Sequence, residues 1–271
     1  MKFGCCVSIS NILKAKEFGY DFVELSAKEI MEISDNDWMT KKTEILGLKI
    51  PVIGLNSFCD ERNPIVGPNV DLARLTQYLD LVIKRATDLN CKNIGIGAPA
   101  ARILPESFSY ELATNQMKYF LRTAASKASK YKINILFEAI NPNECNFGNS
   151  TLEIYNFIQE LNLPNLKIIW DVFHSVNANE KYKDLTKIFN KVEHVHACSW
   201  NKDLHRQYLL EKDQQYLNEL AIFLVSQNYN KTISVEAFDN NFDKIGFISV
   251  KMFNKTQKYI FVNCNGKSST F

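Results

Sequence analysis

Residues 133–138 read INILFE, a short apolar run that ends at the carboxylate of Glu138. The same pattern returns at residues 166–171, LKIIWD, and at residues 232–236, TISVE. Between those two runs, residues 193–198 read EHVHAC. Runs this short and this continuously apolar are typical of strands buried on both faces of a parallel sheet.

The first half of the chain contains further runs of the same kind, which are Phe3–Val7, Asp21–Leu25, Lys49–Leu55 and Asn93–Gly97. Longer segments with helical spacing separate the eight runs. We predict helices over Ile9–Gly19, from Leu72 to Leu89, and over Ser107–Tyr131, Thr151–Leu161, Lys181–Asn190 and Glu211–Asn228. Strands that alternate with helices indicate βα units and a parallel sheet.

Eight βα units within residues 1–240 favour a closed (β/α)8 barrel, a single α/β domain over residues 1–271. Phe242–Tyr259 would form a closing helix, and the end of the chain, from about residue 260, is expected to fray. The alternative is a doubly wound sheet. Its Gly-rich phosphate turn is missing, because Ala98-Pro99-Ala100-Ala101 follows Gly95-Ile96-Gly97 instead of a GxGxxG turn.

The composition excludes several classes of protein. The chain has 32 basic and 30 acidic residues and a net charge of +2, too little to indicate binding to nucleic acid or an anionic membrane. No apolar run approaches the ~20 residues of a membrane helix, and the first residues do not read as a signal peptide. Seven cysteines without a CxxC pair indicate reduced thiols in the cytoplasm. A homo-oligomer remains allowed.

Ionisable side chains stand at the ends of four successive strand runs: Glu138, Asp171, His196 and Glu236. A carboxylate at the end of an apolar strand is costly unless it is paired or bound to a cation. A barrel brings these strand ends to one mouth, where three carboxylates and an imidazole need a compensating charge. One divalent ion would supply it. The oxygen-rich set favours Mn²⁺, Mg²⁺ or Co²⁺, and Zn²⁺ stays allowed.

Each of these residues also has a structural explanation. Glu138 and Glu236 could cap helices or form salt bridges, and Asp171 could cap the following helix. His194 and His196 share one side of their strand, so only one of them need bind metal. We prefer His196, nearer the strand end, and interpret His194 as a hydrogen-bonded core histidine.

The order of these motifs resembles the sugar phosphate isomerase/epimerase superfamily of xylose isomerase-like barrels, closest to its ketose 3-epimerase and hydroxypyruvate isomerase branches. The shared features are a Glu at the end of strand five, Asp-x-x-His after strand six, His-x-His on strand seven and a Glu at the end of strand eight. Here these are Glu138, Asp171-Val172-Phe173-His174, His194-Val195-His196 and Glu236. The segment 137–144, FEAINPNE, is also similar, and the resemblance covers residues 1–240.

The resemblance implies a metal-dependent sugar isomerase or epimerase. It assigns the metal to Glu138, Asp171, His196 and Glu236, and contacts with substrate oxygens to His174 and Glu144. Glu138 and Glu236 would remove a proton beside a carbonyl and return one, through an enediolate.

One loop departs from the family pattern. An Arg usually stands six residues after the metal-binding His, followed by a loop rich in Pro and Gly, whereas here that position is Lys202 and residues 203–207 read DLHRQ. We expect Lys202, Arg206 and Arg102 around the mouth, where Lys202 would contact substrate. Taken singly, each cation fits a surface charge better than an anion site. His205 is expected to be solvated.

Three other functions remain open. An inosose-type dehydratase would use the same metal and the same proton abstraction. An apurinic endonuclease needs three metals and extra histidines on early strands, but the four histidines here lie between 174 and 205. A non-catalytic sugar-binding barrel is the third. We expect a small sugar or hydroxy-ketone as the partner.

Overall fold

The computed structural model describes residues 1–237 and 241–264 and contains a closed barrel of eight parallel strands. We label the barrel strands in chain order. They are β1 Lys2–Val7, β2 Phe22–Ser26, β3 Val52–Asn56, β4 Asn93–Ile96, β5 Asn134–Glu138, β6 Leu166–Asp171, β7 Val192–Ala197 and β8 Thr232–Val235. All eight lie within a few residues of the predicted runs, and β6 matches its run at both ends.

Helices cover the outside of the barrel. They are α1 Ile12–Phe18, α2 Ala27–Glu32, α3 Asp35–Gly47, α4 Leu72–Asp88, α5 Tyr110–Ser129, α6 Thr151–Leu161, α7 Val172–Asn177, α8 Tyr182–Leu185, α9 Gln214–Ser226 and α10 Phe242–Cys264. Short 3-10 turns occur at Ile9–Asn11, Pro99–Arg102, Thr186–Ile188 and Glu211–Asp213.

The barrel closes where β1 pairs with β8, with Cys5 opposite Val235. Around the barrel the strand order is β1, β8, β7, β6, β5, β4, β3, β2, and every neighbouring pair is parallel. The predicted fold class is therefore confirmed, and the doubly wound alternative is wrong. In this arrangement the C-terminal ends of all eight strands share one mouth.

The helices form where an apolar stripe meets a capping side chain. Helix α4 buries Leu75, Leu79 and Val82, which recur at spacings of three and four and pack on the barrel. Its N-cap Asp71 accepts hydrogen bonds from the backbone N–H groups of the first turn. Four other helices start behind a serine whose side chain accepts from the first turn: Ser26, Ser34, Ser109 and Ser150.

The barrel interior changes from apolar to polar toward the mouth. Near the N-terminal end, the ring of Phe22 lies so close to Gly4 that a β-carbon there would be 2.1 Å from it. The edge of the same ring meets His194, with ring centroids 6.2 Å apart. Glu24 hydrogen-bonds to His194, and the strand-end carboxylates lie above them. Glu24 and His194 thus form a buried polar layer directly below the residues of the mouth.

Several elements differ from the sequence prediction, among them α2 and α3, where no helix was predicted. The loop after β7 contains a two-stranded antiparallel hairpin of Ser199–Trp200 with Arg206–Gln207, which was not predicted. The closing helix continues to Cys264, past its predicted end at Tyr259, and most of the tail that was expected to fray, residues 265–271, lies outside the described residues. Only Tyr182–Leu185 and a 3-10 turn form within the helix predicted over 181–190.

In the part of the chain that is described, no helix combines the length and the apolarity needed to cross a bilayer.

Candidate metal centre

The four predicted metal ligands meet at the C-terminal end of the barrel. Glu138 and Asp171 are the last residues of β5 and β6. His196 lies in β7, and Glu236 directly follows β8. One ligand-type atom from each residue lies within 4.8 Å of the others, and all four side chains are buried. The sequence-derived set is thus brought to a single point.

The separations within this cluster suit one ion. His196 Nδ1 lies 3.4 Å from Glu138 Oε1, 3.5 Å from Glu236 Oε2 and 3.8 Å from Asp171 Oδ2. Ligand atoms at bond lengths of roughly 2.0–2.2 Å in a tetrahedral site are separated by about 3.4 Å. The residues therefore fit a divalent cation without rearrangement of the backbone.

Two atoms at the centre of the cluster lack ordinary partners. Within residues 1–237 and 241–264, neither His196 Nδ1 nor Glu138 Oε1 has a hydrogen-bond partner, although both are buried. Leaving a buried polar atom unsatisfied costs about 1–3 kcal/mol, and more for a charged group. A cation between them would satisfy both atoms at once.

The geometry of Asp171 is compatible with both roles considered from the sequence, helix cap and metal ligand. Its Oδ1 accepts the backbone N–H of His174 at 2.9 Å and so caps helix α7. Its Oδ2 faces the cluster and accepts from Arg206 Nη1 at 2.7 Å. The cap fixes the carboxylate's orientation, which leaves the second oxygen for the site.

The charges of the cluster shift the acidity of its members. Burial, opposed by His196 and reinforced by Glu236, raises the pKa of Glu138. Burial also disfavours ionisation of Glu236, but His196 and Arg206 outweigh it and lower the pKa of Glu236. Asp171 behaves likewise, since Arg206 and the two imidazoles overcome burial and hold its pKa well below the usual range. The site thus concentrates negative charge that needs a positive partner.

Arg206 reaches into the cluster from the hairpin. Its Nη1 lies 2.7 Å from Asp171 Oδ2 and 2.9 Å from Glu236 Oε2, and its Nη2 lies 2.8 Å from His174 Nε2. The guanidinium also stacks over Phe173, 4.5 Å from the ring centroid. It therefore bridges two predicted metal ligands and a predicted substrate contact.

The interpretation of Arg206 and Arg102 as surface charges is wrong. Arg206 is only 7% exposed, because the hairpin pairs Trp200 with Arg206 and folds the loop back over the mouth. Arg102 is fully buried, donates to the carbonyl of Glu138 at 3.1 Å and stacks on Phe137. Lys202 and His205 lie exposed in the turn of the hairpin.

The two predicted substrate contacts lie beside the cluster and form a connected network. His174 is buried, and its Nδ1 lies 2.8 Å from the side-chain nitrogen of Asn141. Asn141 in turn donates to Glu144 Oε1 at 2.9 Å. Arg206 holds the other ring nitrogen of His174. This network connects the loop after β5 to the hairpin and fixes the polar wall of the site.

His194 is the hydrogen-bonded core histidine expected from the sequence. It is fully buried, with Nδ1 2.7 Å from Thr232 Oγ1 and Nε2 2.7 Å from Glu24 Oε1. Glu24 itself was not anticipated. Its signal was a carboxylate in the middle of the apolar run Phe22–Ser26, where a charge is costly unless it is partnered.

A cavity of about 580 Å³ opens beside the cluster, over the ends of the first strands and β8. Its lining is rich in hydroxyl and amide groups from Ser8, Ser10, Asn11, Ser26, Asn56 and Ser57. Asn56 also donates to Glu236 Oε1 at 3.4 Å, which ties the cavity to the carboxylate cluster. Ala237, the neighbour of Glu236, completes the border. A cavity of this size holds a small ligand.

Gly97 follows β4 and makes room for Glu138. A β-carbon at this position would lie 2.5 Å from Glu138 Oε2, too close for the carboxylate to stay where it is. The atom that must move is at the far end of the Glu138 side chain. The backbone can therefore keep its fold while the carboxylate moves. The position of the Glu138 carboxylate therefore depends on a glycine that directly follows the neighbouring strand.

We expect Gly97→Ala to weaken divalent-metal binding by roughly 10–100-fold, the usual cost of disturbing the support of a metal ligand. Titration calorimetry with Mn²⁺ measures the affinity, and urea unfolding of the metal-free protein should change much less. Gly47→Ala is the matched control, because nothing lies within 4 Å of a β-carbon there. Equal affinity of the two variants for Mn²⁺ would contradict the predicted effect.

Several solved structures share this fold. A D-psicose 3-epimerase solved in the presence of D-fructose aligns with a TM-score of 0.76 at 17% identity, over 96% of this chain and 98% of its own. An L-ribulose 3-epimerase aligns with a TM-score of 0.79 at 14% identity, over 99% and 98% of the two chains. The IolI protein with a bound zinc atom aligns with a TM-score of 0.73 at 15% identity, over 97% and 98%. At these identities the likeness establishes the fold.

By sequence, no curated protein matches the chain. The family model described as xylose isomerase-like TIM barrel matches residues 12–257, which include every barrel strand from β2 to β8 and all four clustered residues. The chain therefore belongs to the xylose isomerase-like TIM barrel family.

Proposed function

We propose that this protein is a divalent-metal-dependent isomerase or epimerase that acts on a small sugar or hydroxy-ketone. One observation supports the proposal above the others: four buried ligand atoms lie within 4.8 Å of one another. At their centre, His196 Nδ1 and Glu138 Oε1 have no hydrogen-bond partner among the described residues. The donor set of three carboxylates and one imidazole favours Mn²⁺, Mg²⁺ or Co²⁺ and also permits Zn²⁺.

The chemistry we propose is proton transfer at carbon. A divalent ion, when bound, would polarise a substrate carbonyl and its neighbouring hydroxyl and so acidify the proton on the carbon between them. Glu138 and Glu236 extend from β5 and β8, with β6 and β7 between them in the barrel. One carboxylate would remove the proton to give an enediolate, and the other would return a proton. Return to the opposite face gives an epimer, and return to the adjacent carbon gives an isomer.

Arg206 and His174 would bind the oxygens of the substrate. The guanidinium carries a fixed positive charge against Asp171 and Glu236 and can stabilise negative charge that develops on a substrate oxygen. In this proposal it replaces the Arg that the resemblance places six residues after His196, reaching the site from four residues further along the chain. Lys202, which occupies that position, is exposed at the turn.

The proposal is tested by solvent deuterium exchange into a panel of free ketoses with Mn²⁺, Mg²⁺ or Co²⁺, and again with a chelator. We expect exchange with at least one ketose that is lost on chelation. An inosose-type dehydratase would release water from its substrate in the same assay. Binding of a ketose without exchange or dehydration would instead assign the barrel a non-catalytic role.

The cavity also supports a neutral substrate. Among the described residues, its lining contains one lysine, Lys28, beside one carboxylate, Glu29, together with hydroxyl and amide groups. Arg102 is held by the carbonyl of Glu138, and Arg206 by the metal-ligand carboxylates. Neither arginine converges with Lys202 on a shared anion site.

We therefore expect a free ketose to bind at least as tightly as its phosphate ester. Calorimetric titration of both ligands at two salt concentrations checks this, because contacts to a phosphate weaken as salt rises. Tighter and salt-sensitive binding of the ester would contradict the prediction and indicate a sugar phosphate as the substrate.

A further inference from the structure

Glu24 is a buried carboxylate under the metal cluster, in the middle of β2. Its Oε1 lies 2.7 Å from His194 Nε2 and 3.3 Å from His196 Nε2, and it also accepts the hydroxyl proton of Ser234. One oxygen therefore accepts hydrogen bonds from two imidazoles and a hydroxyl. The other carboxylate oxygen, Oε2, lies beside Gly54. A β-carbon at position 54 would be 3.5 Å from Glu24 Oε2.

The two ring nitrogens of His196 face opposite ways. Nδ1 points to Glu138, Asp171 and Glu236, and Nε2 points down to Glu24. A neutral imidazole carries one proton, and the nitrogen without it is the one that can bind metal. A carboxylate cannot donate, so its position beside Nε2 keeps the proton on that nitrogen.

We propose that Glu24 is the positioning residue of the metal centre: it holds His196 with its proton on Nε2, so that Nδ1 presents its lone pair to the ion. This inference rests on the proposed metal site and adds a residue to it that is not among the four ligands. Carboxylates that accept the second N–H of a metal-binding histidine fix both its tautomer and its ring orientation.

A second ion is the alternative explanation of this region, because Cys6, Glu24 and His196 also place ligand-type atoms within 4.8 Å of one another. The hydrogen bonds argue against it. Glu24 Oε1 is already used by His194 and Ser234, and Cys6 Sγ donates to the same oxygen at 3.7 Å.

Variants of Glu24 separate positioning from packing. Glu24→Gln keeps the size and one acceptor oxygen, whereas Glu24→Met fills the same space without accepting a hydrogen bond. We expect the affinity for Mn²⁺, measured by calorimetry, to fall in the order wild type, Gln, Met, with Met weaker than wild type by roughly 10–100-fold. Glu193→Gln is the control, since Glu193 stands on the same strand as His196 but pairs outward with Lys231 at 2.7 Å.

A measurement on the wild-type protein does not depend on how the variants fold. The chain has four histidines, so ¹⁵N NMR of the imidazoles in the Mg²⁺-bound protein can resolve each ring. Single substitutions at His194 and His205 assign two of the signals. We expect His196 to carry its proton on Nε2 and none on Nδ1. A proton on Nδ1 of metal-bound His196 would overturn the inference.

The outcomes distinguish this inference from the proposed function. If the wild type binds no divalent metal, the proposed function fails and this inference fails with it. If the wild type binds one equivalent and the Gln and Met variants bind equally tightly, only the role of Glu24 is refuted. Binding of two equivalents, with the second lost in Cys6→Ser, would assign the lower cluster to an ion and also overturn the inference.

Discussion

Replacing either Glu138 or Glu236 by glutamine is expected to reduce solvent deuterium exchange into the substrate ketose by about 10²–10⁴-fold or more. Glutamine preserves the shape of the side chain and one oxygen, but it cannot accept the proton as a base. Both carboxylates lie at the centre of the cluster, 3.4–3.5 Å from His196 Nδ1. Because the proposed mechanism gives each Glu one half of the proton transfer, either substitution alone should have this effect.

The same two residues are proposed metal ligands, so the loss of exchange must be separated from the loss of metal. Exchange is measured at saturating Mn²⁺, with occupancy determined on the same samples. Glu193→Gln repeats the chemical change on an exposed ion pair and should exchange at the wild-type rate. Near-normal exchange by a metal-loaded Glu138→Gln or Glu236→Gln protein would show that this residue is a ligand only.

The four clustered residues could be predicted because each one is marked locally. Glu138, Asp171 and Glu236 end apolar runs, and His196 lies one residue before the end of β7. In a barrel, residues at the ends of different strands lie close together, because all the parallel strands end at one mouth. Distances between residues almost 100 positions apart therefore follow from the fold class alone.

The burial of Arg206, which was expected around the mouth as a surface charge, could not be predicted by the same reasoning. Its position depends on a hairpin whose strands have two residues each, too short to show a period in sequence. A cationic side chain in a polar segment is most often exposed to solvent. The side chain of Arg206 points inward only because the hairpin pairs Arg206 with Trp200. The burial of Arg102 could not be predicted for a similar reason, because it depends on a short 3-10 turn after β4.

Glu24 differs from the arginines because its signal was present in the sequence. A carboxylate between Val23 and Leu25 cannot face the apolar layer between the barrel and its helices, and the register of β1 with β2 sets Cys6 opposite it. The sequence did not show which residues form hydrogen bonds with Glu24. His194 and Ser234 come from β7 and β8, and the closure of the barrel places β8 next to β1, which is itself the neighbour of β2. Sequence alone does not show which interior residues of distant strands share a layer.

The position of Arg206 indicates how the carboxylate cluster is stabilised in the metal-free protein. Three buried carboxylates would otherwise repel one another in a region of low dielectric constant. Arg206 forms ion pairs with two of them at 2.7 and 2.9 Å while it is almost fully buried. Removing one partner of a buried ion pair leaves an uncompensated charge, which is far more costly than losing a surface pair.

Without metal, Arg206→Met is therefore expected to lower the free energy of unfolding by about 3–5 kcal/mol, the range found when one partner of a buried pair is removed. Methionine fills much of the space, so the loss is mainly electrostatic. Arg206→Lys keeps the charge but not the forked geometry of the guanidinium. Its free energy of unfolding should therefore lie between those of the wild type and Arg206→Met. Because a divalent ion also neutralises Asp171 and Glu236, saturating Mn²⁺ should recover much of the lost stability, as measured by urea unfolding. Arg62→Met, which breaks an exposed pair with Asp60, should change stability far less. If metal-free Arg206→Met unfolds at the wild-type urea concentration, Arg206 does not compensate the carboxylates, and its role is confined to substrate binding.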